Sequence, residues 1–162
     1  MINCSKLLQS TKTLNEIKRY SAVKEEVPKW MLRFSKTISP MVVWNVTRKC
    51  NLSCAHCYVN AVGEEESDAD MGELTTREAM DMIEDLAAIK SPMLVFSGGE
   101  PLLRSDIYEL NVYAMKLGLR TILSSNSTLI TREAAKKIKE AGFAYVGVSL
   151  DGSEEAHDRF RG

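Results

Sequence analysis

Four short apolar runs, Met41–Val46, Met93–Phe96, Leu119–Leu123 and Ala144–Leu150, alternate along the chain with stretches whose apolar residues recur at helical spacing. Most of the runs are rich in β-branched residues, and they read as strands buried on both faces, hence as a parallel sheet. The intervening helices are marked by their ends. Thr75 and Glu78 form a capping box ahead of Ala79, Met82, Ile83, Leu86 and Ile89. Ser105 is placed to cap a second helix, with Ile107, Leu110, Ala114 and Leu117 inward and Gly118 at its end. Thr131 opens a third, with Ala134, Ala135 and Ile138 inward and Gly142 beyond it. The order β-α-β-α-β-α-β, with right-handed crossovers, predicts an α/β fold, either a (β/α) barrel type or an open doubly wound sheet.

Residues 1–40 stand apart from this pattern. Lys6, Lys12, Lys18, Arg19, Lys24, Lys29, Arg33 and Lys36 outnumber Glu16, Glu25 and Glu26 there, which predicts a solvated, partly helical N-terminal extension ahead of a core over 41–162. Glu64, Glu65, Glu66, Asp68 and Asp70 form an acidic run read as a solvated loop. A net charge of −1 gives no electrostatic case for nucleic acid as a partner. No apolar run approaches the ~20 residues that span a bilayer, so no membrane partner is expected. The first residues lack the apolar core of a signal peptide, which points to a reducing cytoplasm.

Cys50, Cys54 and Cys57 form a C-x3-C-x2-C run just past the first apolar stretch, while Cys4 lies far upstream in an unpatterned region and reads as a plain thiol. Iron–sulfur clusters are usually held by four thiolates, so three on one loop leave an iron open or call for a fourth ligand. A zinc site completed by His56, disulfides, or three unrelated buried thiols are the alternatives. The other unusual residues also follow strand ends: Ser97-Gly98-Gly99-Glu100-Pro101, Ser124-Ser125-Asn126 and Ser149-Leu150-Asp151-Gly152. In parallel α/β folds these loops converge on one face, where active sites are built. Gly98 and Gly99 admit close backbone approach to a ligand or make a tight turn. Glu100 offers an acceptor for an ammonium group; Ser124, Ser125 and Asn126 offer partners for a carboxylate or ribose or equally form a helix-capping turn, and Asp151-Gly152 is a common turn signal.

The segment Cys50-Asn51-Leu52-Ser53-Cys54-Ala55-His56-Cys57-Tyr58, followed by Ser97-Gly98-Gly99-Glu100-Pro101, strongly resembles the radical S-adenosylmethionine (SAM) superfamily. The resemblance covers roughly Met41 to Gly162. It implies a (β/α)6 barrel, a 4Fe–4S cluster on Cys50, Cys54 and Cys57, and SAM chelating the fourth iron. Reductive cleavage of SAM then yields methionine and a 5′-deoxyadenosyl radical. It further implies that Gly98, Gly99 and Glu100 hold the methionyl amino group and that His56 and Tyr58 lie near the adenine. Ser125, Asn126 and Asp151 become contacts to ribose or carboxylate. Relatives often read Asn-Gly-Thr where this chain has Asn126-Ser127-Thr128, so a positive φ there would strain Ser127.

Val43-Trp44-Asn45-Val46-Thr47-Arg48-Lys49-Cys50, Gly72-Glu73-Leu74-Thr75, Val146–Gly152 and His157–Gly162 look like the tetrapyrrole-modifying branch, which includes the didecarboxysiroheme deacetylase and haem d1 biosynthesis proteins. That implies side-chain modification of a siroheme-derived tetrapyrrole in haem or haem d1 biosynthesis, with an electron donor such as ferredoxin or flavodoxin. Peptide-modifying maturases share much of the pattern, and a non-catalytic metal-binding module is the competing class. Against six βα units in the family, this chain shows about four strands and three helices, so the N-terminal part of a longer enzyme is expected.

Overall fold

β1 (Val42–Asn45), β2 (Leu94–Ser97), β3 (Thr121–Ser125) and β4 (Tyr145–Val148) form one parallel sheet in the order β1-β2-β3-β4. A computed structural model describes residues 39–63 and 72–161. The N-terminal extension up to residue 38, Cys4 and the acidic run of Glu64, Glu65, Glu66, Asp68 and Asp70 lie outside them. Among the described residues the helices are α1 (Thr76–Ala88), α2 (Ile107–Lys116), α3 (Arg132–Ala141) and α4 (Glu154–Arg161), with a 3-10 turn at Pro101–Leu103. The expected α/β fold with a parallel sheet is present. Strand order runs in sequence with no reversal, whereas a doubly wound sheet reverses at a switch point; the arrangement is that of a barrel segment.

Helix ends follow local chemistry. Thr75 and Glu78 close the capping box of α1. Thr131 accepts from Ala134 N at the start of α3, and Gly142 at its end has φ +81°. Ser105 is not the cap of α2: Asp106 stands there and its side chain makes no capping bond. That carboxylate is taken by Arg104 and by Thr76 Oγ1, the latter at 2.7 Å.

The core lies between the sheet and the helices. Leu94, Phe96 and Leu123 on the sheet meet Ala79 and Ile83 of α1, Ile107, Leu110 and Ala114 of α2, and Ile138 of α3. Three inward assignments fail at helix margins: Ile89, Leu117 and Ala135 are exposed. Ile89 and Leu117 are C-cap residues, turned off the buried stripe where the helix ends.

Burial on both strand faces holds only in part. Neighbours in register share a face of the sheet, and the face bearing Val43, Val95, Ile122 and Tyr145 is not covered by the helices. Val43 is 47% and Tyr145 60% exposed. Toward the strand ends the same face carries Asn45 and Ser97, side by side in register, and Ser124 beside Gly147. No described helix is long and apolar enough to cross a membrane.

A buried ion pair ties the first two βα units together. Arg104 Nε and Nη2 donate to the two oxygens of Asp106 at 2.6 and 3.0 Å, and Nη1 donates to Val46 O at 3.0 Å. The guanidinium also sits 5.3 Å from the Trp44 ring centroid. Burial pushes the Asp106 carboxyl up, but the bonds from Arg104 and Thr76 outweigh it and hold the group below its ordinary range. Asp106→Ala strands the buried Arg104 charge, and urea unfolding is expected to show a loss of about 3 kcal/mol at neutral pH. Because the folded-state value is depressed, this contribution is full above ~3.9 and disappears as pH falls through the lowered value. The gap between wild type and variant therefore narrows in acid.

Candidate metal and cofactor site

The parallel ladder does not stop where β1 and β2 end. Val46 N donates to Ser97 O at 2.9 Å, Gly99 N to Thr47 O at 2.8 Å and Glu100 N to Lys49 O at 2.8 Å. The glycine loop is thus laced directly to the chain entering Cys50. A Cβ on Gly99 would stand 2.1 Å from Lys49 O, and one on Gly98, at φ +137°, would stand 2.4 Å from Thr47 O. Both glycines are required by backbone approaching backbone within the chain, a nearer reason than the approach of a ligand.

The cysteine segment is closed into a hoop. Val62 N donates to Arg48 O and Cys50 N to Val62 O, both at 2.9 Å. Arg48 Nη2 reaches Asn60 O at 3.0 Å, with Asn60 at φ +50°. Inside the hoop Cys57 N donates to Cys54 O at 3.1 Å. All three thiols are free; Cys50 and Cys54 are half-buried and Cys57 is exposed. Burial pushes the Cys50 thiol up, against opposing bonds from Leu52 and Asn126. The Ala61 backbone N–H leads a set of bonds that hold Cys57 below the ordinary thiol value.

Cys50, Cys54, His56, Cys57, Tyr58, Gly98, Gly99 and Asn126 line one cavity of about 90 Å³, and Arg161 lines it too. Larger grooves of about 570 Å³ lie on the flank of α2 and α3 and beside the start of α1, and neither holds a cysteine. Among the described residues no three His, Cys, Asp or Glu side chains gather tightly enough to hold a single metal ion. Two thiolates on one zinc, each at ~2.3 Å, stand no more than ~4.6 Å apart.

Glu100, next to Gly99 in the chain, has no exposed surface. Its Oε1 accepts Ser125 Oγ at 2.9 Å and Leu102 N at 3.1 Å, and its Oε2 accepts Asn126 N at 2.8 Å. An ionised carboxylate has about four acceptor positions, so three donors leave room for one more. Burial pushes the Glu100 carboxyl above its ordinary value, despite those bonds. Ser125 is thereby committed to Glu100. Asn126 bridges the loops: Nδ2 donates to Asn51 Oδ1 at 3.0 Å and points at Cys50 Sγ at 3.7 Å. Its Oδ1 accepts Thr128 N and Oγ1 at 3.0 and 2.7 Å. This tight turn places Ser127 at φ +73°, the positive φ that the sequence made a concern.

Tyr58 is 74% exposed, its hydroxyl 3.4 Å from both Asn45 Oδ1 and Ser97 Oγ. His56 stacks on Phe160, ring centroids 4.3 Å apart. Asp151 is engaged by Arg161, whose Nε donates to Oδ2 at 2.5 Å, with His157 Nδ1 4.0 Å from the same oxygen. Helix α4, which brings Phe160, His157 and Arg161, was not foreseen. It has no buried residue, so it lacks the apolar stripe that reveals helices. Its only advance signal is acidic Glu154 and Glu155 in the first turn with Arg159 and Arg161 in the last, charges that complement the helix dipole.

The model of the radical SAM superfamily matches residues 44–162. Fe-coproporphyrin III synthase of Methanosarcina barkeri is 49% identical over the whole chain, which spans 40% of that protein. AdoMet-dependent heme synthase of Oleidesulfovibrio alaskensis is 46% identical over 75% of this chain and 31% of its own. Among solved structures, native anSMEcpe with bound AdoMet superposes with a TM-score of 0.56 at 26% identity, over 75% of this chain and 35% of that one. The chain therefore spans well under half the length of these relatives.

Two substitutions test the loop geometry. Gly99→Ala forces the backbone of the cysteine loop aside and is expected to cost about 3 kcal/mol in urea unfolding. Ser127→Gly removes the positive-φ strain and is expected to raise stability by about 1 kcal/mol.

Proposed function

The chain belongs to the radical SAM superfamily, and from that premise we propose that residues 41–162 form the cluster- and SAM-binding part of an enzyme that modifies a tetrapyrrole. The observation that carries the reading is the cavity that Cys50, Cys54 and Cys57 line together with Gly98, Gly99 and Asn126, with the buried Glu100 bonded to the Asn126 amide and one acceptor position to spare. The tetrapyrrole is supported by the relatives, whose names are those of an Fe-coproporphyrin III synthase and a heme synthase. Modification of a siroheme-derived tetrapyrrole in haem or haem d1 biosynthesis is the specific reaction proposed. Ferredoxin or flavodoxin serves as electron donor, and free thiols suit a reducing cytoplasm.

In this reading Cys50, Cys54 and Cys57 hold a 4Fe–4S cluster. When bound, that group would supply one-electron reducing chemistry toward SAM. Gly98 and Gly99 hold the loop close while Glu100 accepts the methionyl ammonium, whose positive charge also compensates the buried carboxylate. His56 and Tyr58 flank the adenine. Ser125 and Asn126 hold the opposite loop in place, leaving Asn126 and Asp151 as the polar groups for ribose or carboxylate.

Anaerobic reconstitution with iron and sulfide, followed by EPR of the reduced protein, tests the reading. A cluster signal that changes on adding SAM is expected. A SAM-insensitive signal would overturn the reading and leave a non-catalytic metal module. Cys54→Ala is expected to abolish the cluster absorbance. Glu100→Gln should keep the cluster but weaken SAM binding roughly 10- to 100-fold, the worth of a charged hydrogen bond.

A further inference from the structure

Helix α4 is held to the cysteine hoop by a backbone bond and a ring contact, and it carries a cation, Arg161, to which the proposed chemistry gives no role. Ala55 N donates to Phe160 O at 3.1 Å, and the Phe160 ring lies against His56 with an interplanar angle of 21°. Beside them Arg161, its side chain only 16% exposed, enters the same cavity as the three cysteines. Asp151, just past the end of β4, grips Nε at 2.5 Å and fixes which way the guanidinium faces. The guanidinium lines that cavity together with Cys54. This is a planar, permanently charged group on a fixed anchor.

We propose that Arg161 is a positioning residue, locked by Asp151 and the docked end of α4, that holds its positive charge in the cavity of the three cysteines and so raises the reduction potential of the cluster bound there. The proposal rests on the cluster reading above. Reduction adds one negative charge to the cluster, and a cation held beside it stabilises the reduced form more than the oxidised one. Outer-shell partners of metal ligands orient and tune the site in the same way. Asp151 keeps the charge aimed, and the Phe160–His56 contact keeps the helix end against the hoop.

The test is an EPR-monitored redox titration of the reconstituted chain without SAM, for wild type, Arg161→Gln and Arg161→Lys. Arg161→Gln is expected to lower the ratio of reduced to oxidised cluster about tenfold at a given potential, equivalent to ~59 mV for one electron. Arg161→Lys retains the charge and recovers part of that loss. In the metal-free protein, Arg161→Gln is also expected to speed hydrogen exchange at the Ala55 amide, because the helix end loosens. An Arg161→Gln protein that loads a cluster with an unchanged potential would overturn the proposal and leave the cluster reading intact. A shift that emerges only on adding SAM would also overturn it, assigning Arg161 to the ligand instead. Failure of wild type to take up any cluster would sink the underlying reading and this proposal together.

Discussion

Everything at the site depends on one close approach, the backbone of Gly98 and Gly99 against Thr47 to Lys49. Hydrogen bonds of 2.8 Å from Gly99 and Glu100 extend the β1–β2 pairing past the strands and into the cysteine loop. A side chain at Gly99 would occupy the space of Lys49 O. Two loops distant in sequence therefore become one rigid ledge. The glycines act first on the fold and only through it on a cofactor.

From that ledge the remaining loops are recruited by a buried carboxylate. Leaving Glu100 uncompensated away from water would be costly, and three donors offset that cost: Leu102 N within its own loop, and Ser125 Oγ and Asn126 N on the loop after β3. Once Asn126 is held there, its amide reaches Asn51 and the Cys50 sulfur. The positive φ of Ser127 is the local strain that accompanies this turn. Below the ledge, Arg104 and Asp106 brace the start of α2 against Val46 and Trp44. The open face of the sheet carries exposed Val43 and Tyr145, with Asn45 and Ser97 nearer the strand ends.

Legibility tracked how local each signal was. The Thr75–Glu78 box, the Thr131 cap and the Gly142 stop lie within one helical turn of what they control, and each was found where expected. Ser105 was misread because the Asp106 carboxylate serves Arg104 and Thr76 rather than the helix end. Burial on both faces of every strand was overstated, since an apolar run looks the same whether one face or two are covered. Helix α4 was invisible to hydrophobic periodicity because its anchoring runs through a stacked ring, a backbone bond and an ion pair.

By itself the sequence determined the repeating βα order, most helix ends and the spacing of Cys50, Cys54 and Cys57, because periodicity, capping and ligand spacing act between near neighbours. Only the tertiary structure decided which loops touch. It set Asn126 against Cys50, 76 residues away, and Arg161 against Asp151 at the cavity that Cys54 lines. It also showed the close approach the double glycine serves to be to the chain's own backbone at Thr47 and Lys49. Such pairings follow from strand order and from where each loop is carried, and no short stretch of sequence encodes its distant neighbour.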